Sequence, residues 1–196
     1  MYNIFLFKKD ILMKAKSPSF TAIKKKSETH ISLMNNKKLK LISSSSIKNS
    51  SFDNSNINKL VIKHSNLTES NFRKCNLVSA SIDHSDLSEA DFTWSNLKGN
   101  KIYRANFKGS NLEFVDLSEA VVKECNFKDA SLRWSKLGVT YFENCDLRNC
   151  DFSNADLSTT KFINCKLKGA KYNINTELPF DTDVAKKHKM DFLGVH

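Results

Sequence analysis

The chain has 196 residues, and its 40% hydrophobic content is sufficient for a core and argues against wholesale disorder. Five glycines and two prolines exclude collagen-like and low-complexity classes, and no apolar run is long enough to span a bilayer. The formal net charge of +10 is uneven: residues 1–41 hold ten basic and two acidic side chains, whereas residues 42–172 hold 18 and 15. Nucleic acid or an anionic membrane surface is therefore expected as a partner only through the N-terminal segment.

The first segment in chain order, residues 1–39, is predicted to be a basic leader that is mobile or partly caps the fold. Its apolar stretch at residues 4–7 is followed at once by Lys8 and Lys9, too early for the apolar core of an export signal. The protein is therefore expected to be cytoplasmic, with secretion as an effector left open. The lysines expected to contact a polyanion are Lys24, Lys25, Lys26, Lys37, Lys38 and Lys40.

Residues 40–174 carry a five-residue repeat that runs without insertion. Every fifth position from Ile42 to Tyr172 is apolar or aromatic, which gives 27 repeat centres. The position two residues before each centre is Ser, Ala, Cys or Thr in 23 of the 27 repeats. The exceptions are Lys40, Leu60, Asn100 and Val115. So regular a series defines the architecture of this part of the chain.

The spacing predicts short extended steps joined by corners. Side chains alternate between faces in extended backbone, so the small residue and the large centre point inward together and the residue between them points outward. Two polar residues then turn the chain before the next small residue faces inward again. A strict period of five does not suit a helix, because successive centres would rotate by about 140° around its axis. The sequence therefore predicts an all-β closed coil.

The repeat resembles that of the pentapeptide-repeat family, whose unit is written A(D/N)LXX. The matching runs include Ala90-Asp91-Phe92, Ala105-Asn106-Phe107, Cys145-Asp146-Leu147 and Ala155-Asp156-Leu157. The resemblance implies a right-handed quadrilateral β-helix over residues 40–174, with four repeats in each coil. Residues 175–196 are then expected to form a C-terminal cap with a short helix that begins at Asp181 or Thr182. The resemblance also implies a homodimer through this end.

An aromatic column is the main candidate site. With 20 residues in each coil, Trp94, Phe114 and Trp134 fall at the same outward corner of three successive coils, and they include both tryptophans of the protein. Large apolar side chains grouped on a surface indicate a protein contact, and tryptophan is enriched at binding hot spots. The alternatives are stacking that only stabilises the corner, or coverage by the leader.

Histidines and cysteines also line up, but no metal or cofactor site is predicted from them. His64 and His84 are stacked with Arg104 next in their column, and no carboxylate or cysteine is expected to complete a site there, so they are interpreted as solvated surface residues. All the cysteines occupy one repeat position, where Ala and Ser substitute freely, and are interpreted as small buried fillers, free and reduced. They are Cys75, Cys125, Cys145, Cys150 and Cys165.

The sequence carries no phosphate-binding Gly loop, nucleophile elbow or paired zinc motif, so an enzyme is not expected. The leading hypothesis is a non-enzymatic scaffold that binds an unidentified protein. The resemblance adds two alternatives: a bacterial effector delivered to host cells, and a DNA mimic that binds type II topoisomerases and confers quinolone resistance. The mimic requires a strongly acidic rod and is disfavoured, because residues 42–172 carry a net charge of +3. Polyanion or membrane-surface binding through the leader is the remaining alternative.

Overall fold

The computed structural model describes residues 22–24 and 38–194 of the chain. Within these residues the strands are short and parallel. They are β1 (Ala22–Lys24), β2 (Leu41–Ser43), β3 (Val61–Lys63), β4 (Ser81–Asp83), β5 (Lys101–Tyr103), β6 (Val121–Lys123), β7 (Tyr141–Glu143), β8 (Lys161–Ile163), β9 (Lys171–Tyr172) and β10 (Asp191–Phe192). The described residues contain one helix, α1 (Thr182–Lys187). Strands β1 to β8 form one sheet in chain order, and β10 pairs with β9.

Three further ladders of parallel bridges form the other sides of the molecule. They begin at the pairs Ser46↔Asn66, Ser51↔Asn71 and Asn56↔Asn76 and continue every 20 residues, except that the third ladder ends with Asp156 paired to Glu177. With the main sheet, they give each coil four sides of five residues. The chain is a right-handed quadrilateral β-helix of about 8 turns, which confirms the predicted fold class.

The interior is a set of apolar columns along the axis. Ile42, Ile62 and Ile82 lie in register in β2, β3 and β4 and are fully buried. On another side, the Phe52 and Phe72 rings stack with centroids 4.6 Å apart, and Phe72 stacks on Phe92 at 4.8 Å. Each buried side chain of this size stabilises the fold by about 1.5–3 kcal/mol, so the repeat centres supply most of the driving force.

The corners depend on a local hydrogen bond and on left-handed backbone. The side chain between the small residue and the centre accepts from the amide two residues on: Asn66 Oδ1 from Thr68 N at 3.1 Å, and Asp151 Oδ1 from Ser153 N at 2.9 Å. Such Asx turns explain why Asn and Asp recur at this position. Two residues after most centres the backbone has a positive φ, as at Asn54, where φ is 59°.

The N-terminal leader contributes one strand to the sheet. Strand β1 pairs in parallel with β2, and Ile23 lies opposite Ile42. The offset between β1 and β2 is 19 residues, one less than in the coils that follow. The first edge of the repeat, at β2, is therefore covered by a segment that the five-residue pattern does not reach.

At the C-terminal end, α1 is inserted into a coil. The Asp181 carboxylate accepts from Val184 N at 2.8 Å and caps the helix, as expected, and Ala185 of the helix is buried in the hydrophobic core. Strand β10 then returns to the 20-residue register, with Asp191 opposite Lys171. Parallel pairing therefore extends past residue 174, where the repeat pattern ends. No helix among the described residues is long and apolar enough to cross a membrane.

Candidate functional site

The aromatic column predicted from the sequence forms one continuous stack. The Trp94 and Phe114 rings are 4.1 Å apart at an interplanar angle of 4°, and Phe114 and Trp134 are 6.1 Å apart at 5°. Trp94 is 56% exposed and Trp134 49% exposed, whereas Phe114 between them is half-buried. The structure thus brings together all three predicted residues and leaves a large part of both indole rings open to solvent.

Each ring of this column sits on left-handed backbone. The φ angles are 63° at Trp94, 57° at Phe114 and 58° at Trp134. A residue other than Gly or Asn in this region costs on the order of 1 kcal/mol or more. The same type of corner carries Asn, Lys, Glu or Gly elsewhere in the rod, so three successive aromatic rings are not required by the backbone.

Polar residues lie at both ends of the aromatic column. Lys74 occupies the corner before Trp94 and is exposed. Asn154 follows Trp134, and its backbone N–H donates to Asn173 Oδ1 at 3.0 Å. Arg133, next to Trp134, is exposed as well. The arrangement is an apolar patch with a partly basic margin, which is typical of a protein-binding surface.

The six lysines of the predicted polyanion site are only partly described. Lys25, Lys26 and Lys37 lie outside the described residues, and Lys24 belongs to β1. Lys38 is exposed, while Lys40 Nζ donates to the backbone oxygen of Asn58 at 2.8 Å and to its Oδ1 at 3.0 Å. Polyanion binding through these lysines stays a prediction.

The stacked histidines have a carboxylate beside them, which the sequence interpretation missed. The His64 and His84 rings are 5.2 Å apart, and His84 Nδ1 lies 2.8 Å from Asp83 Oδ1. The expectation that no carboxylate lies close enough to complete a metal site with His64 and His84 is therefore wrong. Asp83 precedes His84 directly in the chain, so an inspection of neighbouring columns, and not only of one column along the axis, could have found it.

The cysteines are free, and four of the five are buried, as expected for small inward-facing residues. Burial raises the pKa of the Cys75 thiol to about 12, and the hydrogen bond with Cys125 raises the pKa of Cys145 to about 12. A thiol at such a pKa is not a nucleophile at neutral pH. Cys165 is half-buried, which corrects the expectation that all five are buried.

Comparisons with known proteins agree with the repeat. The family model "Pentapeptide repeat region" matches residues 103–172, and "Pentapeptide repeats (8 copies)" matches residues 62–99. No curated protein matches the chain.

Three solved structures are similar to this chain. HetL, described as a pentapeptide repeat protein involved in heterocyst differentiation regulation in the cyanobacterium Nostoc sp. strain PCC 7120, is 18% identical, with a TM-score of 0.49 over 84% of this chain and 86% of its own. Rfr23 from the cyanobacterium Cyanothece 51142 is 22% identical, with a TM-score of 0.47 over 47% and 63%. QnrB1, described as a plasmid-mediated fluoroquinolone resistance protein, is 17% identical, with a TM-score of 0.40 over 77% and 81%.

The two family models together cover more than half of the 196 residues, and their matched ranges coincide with coils that the structure shows. The pentapeptide repeat that these family models describe is the five-residue period of this chain. This chain belongs to the pentapeptide-repeat family.

Proposed function

We propose that this protein is a non-enzymatic scaffold that binds another protein through the column of Trp94, Phe114 and Trp134. The observation that supports the proposal is the exposure of both indole rings at 56% and 49% on strained left-handed backbone. Backbone strain of this kind is retained where surrounding structure or function compensates for it. Stacking on Phe114 supplies part of that compensation, and burial of the indoles against a partner would supply more.

The partner is expected to present an apolar segment flanked by acidic side chains. The stacked rings offer a flat apolar strip about three coils long, since adjacent coils are about 4.8 Å apart. Lys74 and Arg133 stand exposed at the margin of the strip and would attract carboxylates. A rigid rod loses little conformational entropy on binding, which suits an exposed strip of side chains held in place before contact.

The two tryptophans make a direct test practical, because no other tryptophan is present in the chain. The wild-type chain is used to capture a binding protein from the native cell. The captured protein is purified and titrated into the wild-type chain while tryptophan emission is recorded. Burial of the indoles predicts a blue shift and protection from acrylamide quenching. The double variant Trp94→Asn, Trp134→Asn is expected to lose at least about 100-fold in affinity, because hot-spot tryptophans contribute 2 kcal/mol or more each.

The control is Val139→Asn. Val139 is also an apolar residue at a left-handed corner, with φ of 60° and 67% exposure, but it belongs to a different corner of the coil. Asn tolerates this backbone conformation, so all these variants are expected to fold. Equal binding by the double variant, or binding without a change in tryptophan emission, would reject the column as the site.

A further inference from the structure

The histidine corner of the third and fourth strands brings three metal-ligand side chains together. His64 follows β3, Asp83 ends β4, and His84 follows it. One donor atom from each of these residues can be chosen so that all three lie within 4.8 Å of one another. Both histidines are exposed and Asp83 is half-buried, so an ion from solvent can reach the cluster.

The backbone holds the three residues in position before any ion arrives. His64 N donates to the backbone oxygen of Asp83 at 3.0 Å, which ties the two adjacent coils together at this corner. The φ angles of His64 and His84 are 49° and 44°, so both side chains leave the same type of left-handed corner. Only side-chain rotations are then needed to close the cluster around an ion.

We propose that His64, Asp83 and His84 bind a divalent first-row transition metal ion, with Cu(II) bound more tightly than Zn(II). Imidazole nitrogens and a carboxylate oxygen suit these ions. With metal–ligand bonds of about 2.0 Å, the 2.8 Å between His84 Nδ1 and Asp83 Oδ1 corresponds to a ligand–metal–ligand angle of about 90°. A right angle fits tetragonal Cu(II), whereas tetrahedral Zn(II) requires the two atoms to move apart.

In this arrangement His84 binds the ion as the neutral tautomer that carries its one ring proton on Nε2, so that the lone pair of Nδ1 faces the ion in place of the hydrogen bond to Asp83. Water completes the coordination sphere, because three protein ligands leave positions open. The site is therefore one that exchanges its ion with solvent.

Charges around the cluster limit its affinity. Lys63 lies opposite Asp83 in the pairing of β3 and β4, and Arg104 follows His84 in the same column. The Arg104 charge is offset by Glu124, whose Oε2 is 2.9 Å from Arg104 Nε. Lys63 makes no ion pair within the described residues, so the variant Lys63→Gln is expected to bind the metal several-fold more tightly.

Calorimetric titration of the full-length, untagged chain with CuCl₂ and with ZnCl₂ tests the proposal. The expected result is one site per chain formed by His64, Asp83 and His84, which binds Cu(II) more tightly than Zn(II). His64→Asn and His84→Asn are each expected to weaken it by at least about 100-fold, because even outer-shell partners of metal ligands are worth 10–100-fold. Asn tolerates the left-handed corner, and a circular dichroism spectrum and thermal transition check that each variant is folded.

His188→Asn is the matched control, because His188 lies beside α1 and contacts Phe180, with ring centroids 5.7 Å apart. It is expected to leave the affinity unchanged. In NMR spectra, Cu(II) is expected to broaden the resonances of residues 64, 83 and 84 first. Unchanged binding in His64→Asn and His84→Asn, an equal loss in His188→Asn, or broadening centred elsewhere would overturn the proposal.

Discussion

The inward-facing columns and the corner columns of this rod obey different rules. Inside, the described repeat centres are apolar, and nearly all are buried, with Phe162 in β8 only half-buried near the C-terminal end. At the corners, the same left-handed conformation carries side chains as different as Trp94, Glu124 and Val139. The interior therefore specifies the coil, and the corners are where the side chain can differ from one coil to the next.

The difference also separates stability from function. An inward position is restricted by the neighbours above and below it, because stacked coils leave space for a given shape only. A corner position is restricted mainly by its backbone φ, and Gly or Asn satisfies that requirement at the lowest cost. Corners that carry a costly residue are thus the first places to look for a binding role.

The largest expected effect is at an inward position. Leu97→Asp places a carboxylate where the side chain is fully buried, and it is expected to cost more than about 4 kcal/mol, enough to abolish cooperative unfolding. The measurement is thermal unfolding followed by circular dichroism. Leu97→Met, which preserves volume and polarity, is the control and is expected to lose less than about 1.5 kcal/mol. A normal transition in Leu97→Asp would mean that the inward register is wrong.

The second prediction compares buried and half-buried thiols. At pH 8, a thiol with a pKa of about 12, as for Cys75 and Cys145, is expected to react with iodoacetamide about 1,000-fold more slowly than a free cysteine. Cys165 is half-buried, and it is expected to be labelled first because the reagent has access to it without opening of the coil, not because more of it is thiolate. Its reaction is still slow, because the hydrogen bond with Cys145 raises its pKa.

Mass spectrometry of the labelled peptides gives the order of reaction. Urea is the control, since unfolding should expose all five cysteines equally. Labelling of Cys75 at the rate of Cys165 in the native chain would show that the interior opens much more readily than the packing implies.

Much of the contrast between inward-facing and corner columns follows from the sequence, because a strict five-residue period restricts which residues can face inward. The register from Ile42 to Tyr172 was predictable, since every centre is apolar. Strand β1 was not, because Ile23 pairs with Ile42 at an offset of 19 residues and falls out of phase. The final coil was missed for a related reason: Glu177 pairs with Asp156 at an offset of 21, and α1 follows before β10 restores the phase.

The candidate sites show the same limit. The aromatic column was predictable because its residues are separated by one coil each. Asp83 was not recognised beside His64, because that contact runs diagonally between neighbouring columns of two coils. A repeat fixes which residues share a column, whereas side-chain rotamers decide which neighbouring columns touch.

The third prediction concerns a corner that carries strain without an evident use. Val139 has a φ of 60° and is 67% exposed, and a β-branched residue is poorly suited to this conformation. Val139→Asn is expected to raise the free energy of unfolding by about 1 kcal/mol. The reciprocal change Asn144→Val, at an exposed corner with φ of 55°, is expected to lower it by a similar amount. Urea unfolding measures both, and changes of the same sign would contradict the role assigned to φ.

The smallest expected effect lies on the outer face. Arg148 donates to both carboxylate oxygens of Asp146, at 2.6 Å through Nη2, and this holds the pKa of Asp146 below its usual value. A lowered pKa in the folded state contributes stability above the ordinary Asp pKa, and this contribution is lost as the pH falls through the lowered value.

Arg148→Gln is therefore expected to reduce the urea midpoint slightly at pH 7 and to match the wild type in strong acid. Lys108→Gln, in the same column and without an ion pair within the described residues, should show no such convergence. A difference between Arg148→Gln and the wild type that stays constant with pH would assign the effect to packing of the Arg148 side chain, since exposed ion pairs contribute little.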